Sequence, residues 1–129
     1  MQLDSDQVHR ELVQHLSHEK RATHDFFQAW KRGVELAGVE LFGRGTREAF
    51  DLAQTKWELC PNLLLITDAI GPMSSGERVF LAALVSFYDA REGGVLLRRV
   101  GVEGLADLGR LDRQRREVLA ELILHYSGW

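Results

Sequence analysis

Glu11, His15 and His18 stand at i, i+4 and i+7, so on a helix one carboxylate and two imidazoles share a narrow sector. Such a donor set can hold a divalent cation, with Glu19 on the adjoining sector. A further ligand such as Asp51, Asp68 or Glu77 would have to come from another helix, as in helical carboxylate sites. The spacing is not that of HExxH, no second His-rich helix matches it, and His9 and His24 point elsewhere. The sector borders an apolar face rather than lying within it, which makes a solvated flank the plainer reading. No cofactor is favoured by the rest of the chain.

A second candidate is Asp68 to Glu77, DAIGPMSSGE, an interhelical loop with oxygen-bearing side chains at both ends. A calcium loop of the EF-hand kind needs oxygen ligands at alternate places, and Ile70 and Pro72 occupy the third and fifth. A turn followed by a cap is the reading that survives. The arrangement of an Asp, a Gly and a capping Glu between helices is similar to one found in helical domains of the tellurite-resistance type. Their acidic clusters are absent here, and no membership follows.

Nucleophiles have no supporting motif. Ser74 and Ser75 lie in no G-x-S-x-G elbow, and Cys60 has no neighbouring base and aligns with Phe50, Ala53 and Trp57, as a small core residue would. Gly101 and Gly104 follow no strand and precede no Lys-Ser/Thr pair, so they make no phosphate loop.

Residues 98 to 116 hold six arginines (Arg98, Arg99, Arg110, Arg113, Arg115, Arg116) against three acids (Glu103, Asp107, Asp112). A basic helix start after a Gly-rich turn can contact phosphates, with Arg110, Arg113 and Arg116 as the reading residues. Against a nucleic-acid partner stand the net charge of -3, the interspersed acids and the lack of any aromatic residue from Arg98 to Arg116. A solvated charged face accounts for the cluster more simply.

The elements that must position these residues are helical. Ser75 to Asp89 reads as a central apolar helix, with Ser74 and Glu77 forming a capping box and Pro72 ending whatever precedes it. At about 100° per residue, Phe80, Leu81, Ala83, Leu84, Phe87 and Tyr88 cover more than half the cylinder. Only the strip Arg78, Ala82, Val85, Ser86 and Asp89 is left to meet water.

Asp4 or Ser5 caps a first helix running to about Arg32 and stopped by Gly33, with Val8, Leu12, Leu16, Phe26, Phe27 and Trp30 on one broad face. Glu19 and Thr23 interrupt that face, so the helix either breaks near Ser17 or meets something polar there. Gly33 to Gly45 is a connector in which Val34 to Phe42 can form a short helix, and Thr46 caps a helix aligning Ala49, Phe50, Ala53, Trp57 and Cys60. Pro61 kinks that helix or begins another, and Leu63 to Ile70 makes a short buried helix ending at Gly71. Gly93 and Gly94 terminate the central helix, Val95 to Val100 adds one or two turns, and Val102 to Leu108 is a small helix. Asp112 caps the last helix, whose apolar face holds Leu111, Val118, Leu119, Leu122, Ile123 and Tyr126. Trp129 is expected to dock, since an exposed indole wastes a large apolar surface.

The prediction is therefore an all-α, single-domain bundle of about five to seven helices over residues 1–129. The longest apolar runs, Leu63 to Ile66 and Val79 to Val85, are far short of a membrane span. A single cysteine and no charged, apolar leader over Met1 to Gln14 suggest a reducing cytoplasm. With no convergent catalytic set, a non-enzymatic interaction or regulatory protein is expected. Leu52, Leu59 and Leu124, apolar on otherwise polar faces, suggest a partner or self-association surface.

Overall fold

The structure is a computed structural model that describes residues 4–129. Six α-helices form among the described residues: α1 Ser5–Ala37, α2 Arg47–Leu52, α3 Leu63–Ala69, α4 Ser75–Tyr88, α5 Ala90–Arg99 and α6 Arg113–His125. Three short 3₁₀ turns, Val39–Leu41, Lys56–Leu59 and Leu105–Arg110, complete the path, and the fold class is all-α as expected. No helix of the described residues is long and apolar enough to cross a membrane.

α4 is the centre. Its capping box is formed as read, Ser74 Oγ accepting from the Glu77 amide and Glu77 Oε1 from the Ser74 amide, each at 3.3 Å. Seven consecutive residues, Val79 to Val85, are buried, including Phe80 and Leu84. That corrects the expected wet strip, since Ala82 and Val85 lie inside. Phe87 is only half-buried, packed edge-on to Phe26 at 6.3 Å.

The cover over that strip is α5. The chain turns at Asp89, which closes α4 through its backbone N–H to the Val85 carbonyl and opens α5 by accepting from the Glu92 amide. Gly93 and Gly94 therefore lie inside a helix rather than ending one. The reason is close approach, because a Cβ on Gly93 would fall against the Ser86 backbone and 2.6 Å from Ser86 Cβ. Only a glycine lets α5 lie this near.

α1 shows the same effect. It runs unbroken through Gly33, whose missing Cβ would sit 3.1 Å from Leu84 Cδ2 and 3.4 Å from Val118 Cγ1, and ends at Gly38. So α1 crosses α4 and α6 at Gly33. With α6 it runs antiparallel, Phe26 beside Tyr126 at 5.8 Å and Arg32 paired with Glu121. Asp4 is the cap, accepting from the Gln7 amide at 2.6 Å.

The buried face of α1 is confined to its second half, at Phe26, Phe27, Ala29, Trp30, Gly33 and Val34. From Ser5 to Arg21 every residue except Gln7 is exposed, Val8, Leu12 and Leu16 at 49, 55 and 50%. The apolar stripe read as one core face is thus core only from Phe26 onward. There is no break near Ser17, and Glu19 and Thr23 face solvent.

Several shorter elements also differ from expectation. α2 ends at Leu52, and Thr55 with Glu58 then caps a separate 3₁₀ turn, which turns Trp57 outward and Leu59 inward. Leu59 is core, and its carbonyl accepts from the buried Trp30 Nε1 at 2.9 Å. Asn62 rather than Pro61 opens α3, which buries Ile66 but leaves Leu64 exposed. Ile123 on α6 and Tyr126 just past its end are also exposed. Trp129 does dock, its ring 4.7 Å from Trp30 and 5.2 Å from Tyr88. Lys56 Nζ donates to the Gly128 carbonyl at 2.7 Å, holding that strand of chain in place.

Capping dictates a pH dependence. Glu77 is held below its ordinary 4.5 chiefly by the Ser74 hydroxyl, and Glu58 by the Gln54 and Thr55 amides. Asp107 and Asp112 are likewise held below 3.8, by the amides of Glu103 and Gly104 and of Arg115. A carboxyl lowered in the folded state contributes stability above its unfolded pKa and loses it as pH falls through the folded value. The urea midpoint is therefore expected to hold near neutrality and fall between about pH 5 and about pH 2. A midpoint that is flat or rises over that interval contradicts the assignment.

Candidate functional site

Glu11, His15 and His18 remain on one exposed sector of α1, in the half that stands clear of the core. His15 Nε2 lies 3.0 Å from Glu19 Oε1, one turn further along the helix. Asp51, Asp68 and Glu77 belong to α2, α3 and α4, and no group of three His, Cys, Asp or Glu suited to a metal is assembled among the described residues.

The arginines are engaged in holding irregular backbone. Arg110 donates to the carbonyls of Val100 and Gly101 at 2.9 and 2.6 Å, and Arg116 to those of Leu111 and Gly109 at 2.8 and 2.7 Å. Arg99 reaches the Thr67 carbonyl at 3.0 Å. A guanidinium carries several donors in a fixed fork, which suits it to closing a loop that has no ladder of its own. Arg113 pairs with Glu117 at 2.9 Å and Arg115 with Asp112 at 2.5 Å while lying over the Phe80 ring. Two of the three expected phosphate readers are thus bound to carbonyls of their own chain.

Cys60 is half-buried, its Sγ 3.3 Å from the Trp57 carbonyl. Burial pushes the thiol pKa up, and the Trp129 indole beside it pulls weakly the other way. A raised pKa leaves little thiolate near neutrality, so the group is a poor nucleophile.

The clamped segment forms one wall of a feature that sequence reasoning missed. Between the end of α4, α5, residues 102–108 and α6 lies an apolar groove of about 660 Å³. Its floor is Ala83 and Leu119, both buried, with Phe87, Leu97, Val102 and Leu108 half-buried along the sides. Leu105 and Ile123 stand at the rim, 86 and 66% exposed, and Arg98 and Glu103 supply its charged groups. Ser86 also lines it, but its hydroxyl already donates to the Ala83 carbonyl at 2.5 Å.

A second hollow of about 420 Å³ shares Leu105, Leu108, Leu119 and Ile123 with the first and continues past Ala106, Leu111 and Arg116. The two hollows adjoin at these four side chains beside α6 and are together called the trough. Leu124, on the next position of α6, is 75% exposed, and Leu52 is 69% exposed on α2. Leu124 lines neither hollow, so it gave no signal for the trough, and nothing in the spacing of Val102, Leu105 and Leu108 tells a wall from a core segment. No protein-family model, curated protein or solved structure matches the chain.

Proposed function

We propose that this protein is a non-enzymatic interaction module that receives an apolar segment of a partner protein in the trough beside α6. The observation that carries this reading is the pair of adjoining hollows with an apolar floor and exposed Leu105 and Ile123 at the rim. A small-molecule site is an apolar cleft of similar volume but carries convergent polar groups to orient its ligand, and here the Ser86 hydroxyl is already taken by the Ala83 carbonyl. An amphipathic helix or extended peptide instead needs a long apolar track with few polar groups at its edge. Arg98 and Glu103 offer such an edge, one charge of each sign to set the direction of the incoming segment.

Selection of binding peptides from a displayed library, followed by titration, tests the reading. Enriched sequences are expected to carry apolar anchors at i, i+3 or i+4 and i+7, and to lose roughly tenfold or more in affinity to Leu105→Glu and Ile123→Glu. Both positions are exposed, so neither variant threatens the fold. A library that yields no binder, or binders indifferent to both substitutions, ends the proposal.

A further inference from the structure

The outer half of α1 is the second unpartnered apolar surface, and it is independent of the trough. Residues 5 to 21 extend about 25 Å at 1.5 Å per residue, and the body of the protein leaves them exposed. An isolated helix of this length is marginal in water, particularly one with Val8, Val13 and Ser17 among its residues. Val8, Leu12 and Leu16 nevertheless form an unbroken ridge at i, i+4 and i+8, and on the same sector the helix goes on to bury Phe26 and Trp30. A helix with this stripe is completed by a partner that covers it.

We infer that the partner is a second copy of this chain, paired antiparallel through the outer half of α1 about a two-fold axis at Leu12. In that register Leu12 meets Leu12 of the second copy, and Val8 meets Leu16 of the second copy, so each apolar residue of the ridge faces another. Charge decides the direction. Asp4, Asp6, Arg10 and Glu11 sum to -2, whereas Glu19, Lys20 and Arg21 sum to +1. Antiparallel pairing lays the acidic end of each helix along the basic end of the other and brings Asp4 toward Lys20 of the second copy. Parallel pairing sets like on like and opposes no dipole. It would also carry the second helix into α6, which already occupies the face beyond Phe26. A lipid surface is a poorer match, because the polar side lacks the excess of Lys and Arg that anionic membranes attract.

One helix face is a small contact by the standards of stable complexes, so the dimer is expected to be concentration-dependent, with a midpoint on the order of micromolar to tens of micromolar. Light scattering or sedimentation of the full chain over a dilution series reads it. The mass is expected to rise from one chain to two, and Leu12→Glu, which puts two carboxylates on the axis, to move the midpoint at least tenfold upward, roughly 1.4 kcal/mol or more. Leu12 is exposed in the chain alone, so the melting of the body serves as the control for folding. Leu105→Glu is expected to leave the dimer intact, which separates this result from the fate of the trough.

Orientation is read by disulfide trapping in a Cys60→Ala background. Val8→Cys and Leu16→Cys proteins are expected to cross-link when mixed and not when oxidised separately. A chain that stays monomeric throughout, a dimer indifferent to Leu12→Glu, or Val8→Cys protein that cross-links with itself as readily as the mixture would overturn the inference. So would Leu12-dependent co-sedimentation of a monomer with phosphatidylserine vesicles.

Discussion

Leu84→Asp is expected to abolish the cooperative unfolding transition. The side chain is fully buried within a run of seven consecutive buried residues, against the crossing of α1 at Gly33. Removing it forfeits about 2 to 5 kcal/mol in transfer and cavity terms. A carboxylate in this apolar core, beside Gly33, costs several kcal/mol more or is forced to bind a proton. Set against a typical domain stability of about 5 to 15 kcal/mol, the sum leaves little or nothing. Leu84→Ala, by contrast, should fold and melt at a lower temperature. Thermal melts followed by near-ultraviolet circular dichroism check both, and a Leu84→Asp protein with a native spectrum and a sharp melt would mean that α4 is not the centre of the fold.

The second large effect lies at adjacent glycines with opposite signs. Gly93→Ala drives a methyl group into the backbone of Ser86, which cannot move without parting α5 from α4, and is expected to cost about 2 kcal/mol or more. At Gly94 the nearest atom to a new Cβ is the flexible Arg98 Nη1 at 3.7 Å. There Ala should stabilise by roughly 0.5 to 1 kcal/mol through a lower entropy of the unfolded chain. Urea unfolding of the two single variants measures the difference. Equal midpoints would show that α5 does not approach α4 as closely as described.

These glycines also mark where sequence reading stopped short. Local chemistry was legible: the box at Ser74 and Glu77, the caps at Thr46 and Asp112, and the docking of Trp129 all follow from groups close in the chain or from one large side chain. Gly33 and Gly93 were misread as stops because a glycine in sequence announces freedom of the backbone. The neighbour that requires its missing side chain comes from 51 residues away for Leu84 with Gly33, and from another helix for Ser86 with Gly93. The stripe of α1 failed for a related reason. Val8, Leu12 and Leu16 have the same periodicity whether another helix covers them or not, so pattern gives the face but not its cover.

The candidate site was less visible still. The arginines drew the eye as charge, yet Arg110 and Arg116 donate to four carbonyls on either side of the segment that walls the trough. A Lys at either position would keep the charge and lose the fork. Metal-ligand spacing at Glu11, His15 and His18 came from helical geometry alone, and among the described residues no group of three such ligands is assembled.

The continuity of α1 has a mechanical corollary. With no hinge between Ser5 and Ala37, the outer turns share one azimuth with Phe26 and Trp30, which are locked in the interior. The protruding segment is accordingly an aimed strut rather than a tether, and what it grips is held at a set bearing from the body.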